Sequence, residues 1–183
     1  MSATNRGATR HELDWYETPV ECVWLLLDHV GFDGAIIDAG CGTGPIGKAL
    51  IDDGYEAVGV ELDHGRVEQS RAKGLVVIEG DYLAMNLVAE NVVSNPPYSL
   101  ASNFIRKSLD IVKPGGKVAM LLRLNFLGSS RGRQDLFKQG SGFKHIVVMS
   151  IRPSFKGGGT DMCEYAWLVW ERGYVGVATV EVR

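Results

Sequence analysis

The sequence predicts a doubly wound α/β fold: a mostly parallel, seven-stranded sheet that ends in an antiparallel hairpin. Three features carry that expectation. Between Ala35 and Leu124, short β-branched runs alternate with helical patterns of about 10–15 residues, the signature of βαβ units with right-handed crossovers. The first run empties into Gly40-Cys41-Gly42-Thr43-Gly44-Pro45-Ile46-Gly47, where glycines let a helix N-terminus approach a ligand closely. The last two runs, 145–151 and 165–170, have no helix between them and should pair as a hairpin.

Taken in order, Thr18 suits the N-cap of a first helix, with Pro19 at its first position and Glu21 completing a capping box. Val20, Val23, Trp24, Leu27 and Val30 give that helix an apolar stripe, and Gly31 ends it. Strand 35–39 leads through the glycine loop into a helix that Gly54 closes. Strand 56–61, helix 63–73, strand 75–79 and strand 91–94 follow. A helix over about 100–112 stops at Pro114-Gly115-Gly116, before strand 117–124.

With 183 residues, 45% apolar and 22% charged, the chain is long enough to bury a real core. The expected organisation is a flexible leader over 1–12 and one domain over 13–183. No run of about 18 apolar residues occurs, so no membrane partner is expected. Cys22, Cys41 and Cys163 are odd in number and far apart, which indicates neither a metal site nor a disulfide framework and fits a cytoplasmic location. An oligomer is possible but not indicated. Charge is divided along the chain: residues 11–100 carry 16 acids and 4 bases, net −12, whereas residues 101–160 carry 11 bases and 2 acids, net +9. Such a split suggests a polyanion for the second half, or a basic face that neutralises an acidic one.

The most informative stretch is Asn95-Pro96-Pro97-Tyr98, at the end of the apolar run Val92-Val93. Proline cannot donate to a sheet ladder, so the strand must stop there. It leaves an amide, a rigid backbone with free carbonyls and an aromatic ring, which together suit a flat, amino-bearing ring. Gly42-x-Gly44-x-x-Gly47, with acids at Glu61 and Asp63, satisfies a nucleotide fingerprint that does not say which nucleoside cofactor is held.

Asp38-Ala39-Gly40-Cys41-Gly42-Thr43-Gly44, then Glu61, Asp81 and Asn95-Pro96-Pro97-Tyr98, resembles the class I S-adenosylmethionine-dependent methyltransferases, with their Rossmann-like sheet. More narrowly it is similar to the branch that methylates adenine N6, and in its small format, with Arg152-Pro153-Ser154-Phe155 and Tyr165-Ala166-Trp167, to short phage-type DNA enzymes. The resemblance spans residues 14–172. It implies S-adenosyl-L-methionine as cofactor, with Tyr16, Thr18, Asp38, Gly40, Gly42 and Gly44 at its methionine end, Glu61 on its ribose and Asp81 at its adenine amino group. It implies that Asn95 and Pro96 accept the hydrogens of the target amine, that Pro97 stiffens the corner, that Tyr98 stacks on the target base, and that Phe155 clamps it. Arg123, Arg131, Arg133, Lys138, Lys144, Arg152 and Lys156 would then meet phosphates. No target-recognition domain is evident.

The expected reaction is direct methyl transfer to adenine N6 in DNA, on a flipped or unpaired base. DNA is preferred over RNA as partner. Alternatives that stay open are an RNA adenine-N6 methyltransferase, a protein glutamine-N5 methyltransferase, and a non-catalytic nucleic-acid-binding module. A nicotinamide oxidoreductase has no use for the proline corner.

Overall fold

The computed structural model describes residues 17–128, 130–155 and 162–183. Tyr16 and Lys156, two residues with expected roles, lie outside these. Eight strands form one sheet in the order β3-β2-β1-β4-β5-β7-β6-β8. They are β1 Ile36–Ala39, β2 Ala57–Glu61, β3 Val76–Glu79, β4 Asn91–Ser94, β5 Lys117–Arg123, β6 Phe143–Val148, β7 Tyr165–Glu171 and β8 Thr179–Val182. The first five are mutually parallel, and β7 runs antiparallel between β5 and β6. The hairpin expected at the end of the chain is therefore present, with β7 as its inner strand. The sheet has one strand more than predicted, because β8 returns to pair in parallel with β6. Its four residues sit largely exposed at the edge, so they lack the continuous apolar run that marks the buried strands.

Helices α1 Val20–His29, α2 Pro45–Asp52, α3 His64–Ala72 and α4 Ala101–Ile111 cover the sheet on both faces. The two-residue period of the strands sorts side chains between two cores. Val93, Ala119, Leu121, Trp167 and Val169 pack with α1 and α2, whereas Val92, Val118, Met120, Leu122 and Leu168 pack with α4. Trp167 and Trp170 are fully buried, and their indole N–H groups donate to the carbonyls of Cys22 at 2.6 Å and Leu136 at 2.8 Å. Among the described residues, no helix is long and apolar enough to cross a membrane.

The order β2-β1-β4 marks the topological switch point, since the chain leaves β1 toward one side and returns on the other. Open α/β sheets bind ligands in the crevice beyond the carboxyl ends of the strands at this point. Gly40, following β1, and Asn95, following β4, flank it.

The glycine loop is held tightly against its supports. Gly44 has φ +84°, and a Cβ there would collide with the Ser70 hydroxyl. Under the loop, a Cβ on Gly59 of β2 would lie 2.6 Å from Cys41 Sγ and 3.0 Å from Leu75. Gly59→Ala should therefore destabilise the fold by about 1–3 kcal/mol through overpacking, read as a lower urea midpoint at unchanged m-value.

Candidate active site

A cavity of about 470 Å³ opens at the switch point and brings together Gly40, Glu61, Asp81, Asn95 and Pro97. That size is typical of a small-molecule or cofactor site. Leu62, Tyr82, Leu83, Leu100 and Phe104 give it apolar walls. Tyr82 and Phe104 stack at 5.2 Å, and the Tyr82 hydroxyl shares a hydrogen bond with Ser108 at 2.7 Å, so this wall is fixed from behind. Sequence reasoning missed these apolar residues. Their only signal was an ordinary apolar pattern, indistinguishable from core.

Glu61 is buried at the end of β2. Its Oε2 accepts the Gly42 N–H at 2.8 Å, and its Oε1 accepts those of Leu62 and Asp63 at 2.9 Å each. A carboxylate offers about four acceptor positions, so one remains, on Oε2. Glu61 thus both faces the cavity and clamps the glycine loop to the end of β2. Glu61→Ala should leave three backbone donors short of their acceptor and lower stability by about 3 kcal/mol or more, measured by denaturant unfolding without ligand. Asp81 lines the cavity and is exposed, with Oδ1 engaged by the Leu83 N–H at 2.9 Å.

Asp38 is wholly buried beneath the loop, and its Oδ2 accepts the Gly47 N–H at 2.9 Å. Its carboxyl is pushed up to about 7, chiefly by burial, against the lowering effect of the Gly47 bond and with a further rise from Glu61. Gly42 and Gly44 are also buried, so Gly40 is the loop glycine that reaches the cavity wall. Burial likewise pushes the Cys41 thiol up to about 12, which keeps it neutral.

The first helix begins differently from the expected capping box. Pro19 stands at the N-cap with no side-chain cap bond, and Thr18 is buried, its hydroxyl accepting a hydrogen bond from Asn95 Nδ2 at 3.0 Å. One residue earlier, Glu17 accepts from the Thr43 hydroxyl at 2.8 Å, and that bond is the main reason its carboxyl lies below the usual range. The segment entering α1 therefore ties the glycine loop to the proline corner. Tying up the Asn95 amino end leaves its carbonyl oxygen as the acceptor for a ligand.

Within the corner, the Pro97 carbonyl is taken by Leu100 N–H at 2.8 Å. Among the described residues, no hydrogen bond reaches the Pro96 carbonyl. Tyr98 packs against residues of β5 and β7. Its ring lies 6.2 Å from that of Tyr165, with the Arg123 guanidinium 4.8 Å above it. Phe155 meets Tyr165 edge-on at 4.9 Å.

The basic second half does not form one face. Lys144 lies at the start of β6, on the edge opposite Asn95, and pairs with Glu171 at 2.6 Å, which removes it from the expected phosphate contacts. Arg133 folds back onto its own loop, donating to the Gly128 carbonyl and covering the Phe126 ring at 4.3 Å. Arg106 pairs with Asp135 at 2.8 Å. Arg131 and Arg152 are exposed and follow the carboxyl ends of β5 and β6 in the chain. Lys138 is exposed beyond the second of two short 3-10 turns.

No protein-family model matches the chain, and no curated protein sequence matches it. Solved structures do. A candidate class I S-adenosylmethionine-dependent methyltransferase from Listeria monocytogenes aligns over 87% of this chain and 62% of its own, at 17% identity and TM-score 0.67. A candidate RNA methyltransferase from Pyrococcus horikoshii aligns over 88% of each chain, at 20% identity and TM-score 0.70. The M protein of the type I restriction enzyme EcoKI aligns over 89% of this chain and 45% of its own, at 19% identity and TM-score 0.65. This chain thus spans less than two thirds of the Listeria and EcoKI proteins. What they share with it is an architecture: the chain has the class I S-adenosylmethionine-dependent methyltransferase fold.

Proposed function

We propose that the chain is an S-adenosylmethionine-dependent methyltransferase acting on the exocyclic N6 of adenine in DNA. The observation that carries this reading is that Asn95 and Pro97 of the corner line the same cavity as Gly40, Glu61 and Asp81. The cavity fits a nucleoside cofactor: apolar walls for a base, a carboxylate with one acceptor position left, and a loop glycine that allows close approach. Bound there, S-adenosylmethionine would supply an activated methyl group on a sulfonium. Glu61 would accept a ribose hydroxyl, Asp81 the adenine amino group, and Gly40 would border the methionine end.

The chain's own part in the reaction follows from the corner. An exocyclic amine is a poor nucleophile because its lone pair is delocalised into the ring. Accepting both its hydrogens, at Asn95 Oδ1 and the Pro96 carbonyl, favours a pyramidal nitrogen with a directed lone pair. Thr18 fixes the amide's orientation and Pro97 stiffens the carbonyl, so little reorganisation is needed when substrate arrives. The N6 proton can leave after transfer, so no strong base is required.

DNA is favoured as substrate by the exposed Arg131 and Arg152, which follow the carboxyl ends of β5 and β6, and by the aromatic group of Tyr98, Tyr165 and Phe155. An RNA adenine is the second reading, since the corner treats both alike. The test is transfer of a tritiated methyl group to unmethylated DNA, RNA and a protein extract, followed by nucleoside mass spectrometry. N6-methyladenine in DNA is the expected product. Label confined to protein would remove the nucleic-acid reading, and label confined to RNA would exchange the substrate.

A further inference from the structure

We infer that in the free protein Arg123 holds the target base's place on the Tyr98 ring, and that it yields that place when an adenine enters. The inference rests on the adenine reading above and deepens it.

Arg123 ends β5 directly opposite Tyr165 of β7. Its guanidinium carbon lies 4.8 Å from the Tyr98 ring centroid, and its Nε donates to the Tyr165 hydroxyl at 3.3 Å. Tyr98 is half-buried and packs against both hydrophobic cores, so its ring is anchored while the guanidinium covers it. Among side chains, a guanidinium on an aromatic ring is the nearest equivalent of a stacked purine: flat, delocalised, weakly hydrated, with donors along its edge. One face of the ring cannot hold both.

The grip on Arg123 is of a kind that can exchange. Among the described residues it consists of one long bond to a neutral hydroxyl and a cation–π contact at a half-exposed site. Arg133 and Arg106 are held differently, by backbone carbonyls and by Asp135. Once displaced, Arg123 stays on the edge that carries Arg131 and Arg152, where a strand's phosphates would take its charge. The contact therefore keeps the Tyr98 ring covered until a base arrives and then turns the same cation into a phosphate ligand.

The test is the Nε–H resonance of Arg123 in protein saturated with S-adenosylhomocysteine, assigned by its loss in Arg123→Met. It should be ring-shifted in the free protein, move to an unshielded position with an adenine-containing single strand, and stay shifted with oligothymidine. In parallel, Arg123→Met should weaken binding of the adenine oligonucleotide but tighten binding of adenosine, about three- to ten-fold in each direction. A resonance unmoved by an oligonucleotide that the protein methylates would overturn the inference and leave the adenine reading intact. So would weakened binding of both ligands, which marks a merely structural role, or unchanged adenosine binding, which marks a plain phosphate contact. If the wild type neither binds nor methylates adenine substrates, the adenine reading falls and the inference with it.

Discussion

Asn95→Ala is expected to lower kcat for methyl transfer by about 10²–10³-fold, with S-adenosylmethionine affinity within about three-fold of wild type. The asymmetry follows from position. Asn95 sits at the end of β4, across the switch point from the carboxylates that would hold the cofactor, so its loss removes an acceptor for the amine and little cofactor contact. Asn95→Asp is informative as well. It keeps an acceptor but removes the amide N–H that Thr18 receives, so Thr18→Ala and Asn95→Asp should each cost activity through loss of orientation rather than of chemistry. Single-turnover kinetics with labelled cofactor, set beside equilibrium binding, separate the two effects. Equal losses in binding and turnover would move Asn95 from the reaction to the cofactor site.

The second large effect concerns Asp38 and pH. Its carboxyl is buried, raised to about 7 first by desolvation, and one of its oxygens, Oδ1, has no hydrogen-bond partner among the described residues. Because the folded-state value lies above the unfolded one, the unfolded chain loses this proton first as pH rises. The stability carried by protonated Asp38 is therefore complete below about pH 4, declines toward pH 7 and is gone above it, a loss on the order of 4 kcal/mol. Asp38→Asn keeps an acceptor for Gly47 and cannot ionise. The variant should match the wild type closely at pH 4 and exceed it by several kcal/mol at pH 8, in urea unfolding of ligand-free protein. A difference independent of pH would mean that Asp38 is not held in an apolar setting.

Much of this architecture is legible in the chain because its signals are local. The β-branched runs ending in Gly40 and in Pro96-Pro97 mark β1 and β4 by composition and by the loss of donors, and β4 falls on the predicted residues 91–94. Legibility falters where a residue's role depends on a distant partner. Thr18 looks like a helix cap because Pro19 and Glu21 follow it, but its hydroxyl is taken by Asn95, 77 positions away. Lys144 and Arg133 look like members of a cationic patch in a linear charge count. The direction of β6 sends Lys144 to the far edge, and the 3-10 turns after β5 fold Arg133 onto Phe126. Asp38 reads as a ligand residue by motif, and only the packing of the loop above it shows its hydrogen bond from Gly47. β8 was missed because a four-residue edge strand with exposed valines has no core face to betray it.

A complex with S-adenosylhomocysteine would show whether the cofactor's sulfur and Asn95 meet in one cavity. In that complex the ribose is expected against Glu61, the adenine toward Asp81, and the sulfur facing Asn95 Oδ1 and the Pro96 carbonyl with room between them for an amine. A cofactor bound in the reverse sense, or with its sulfur turned away from Asn95, would contradict it.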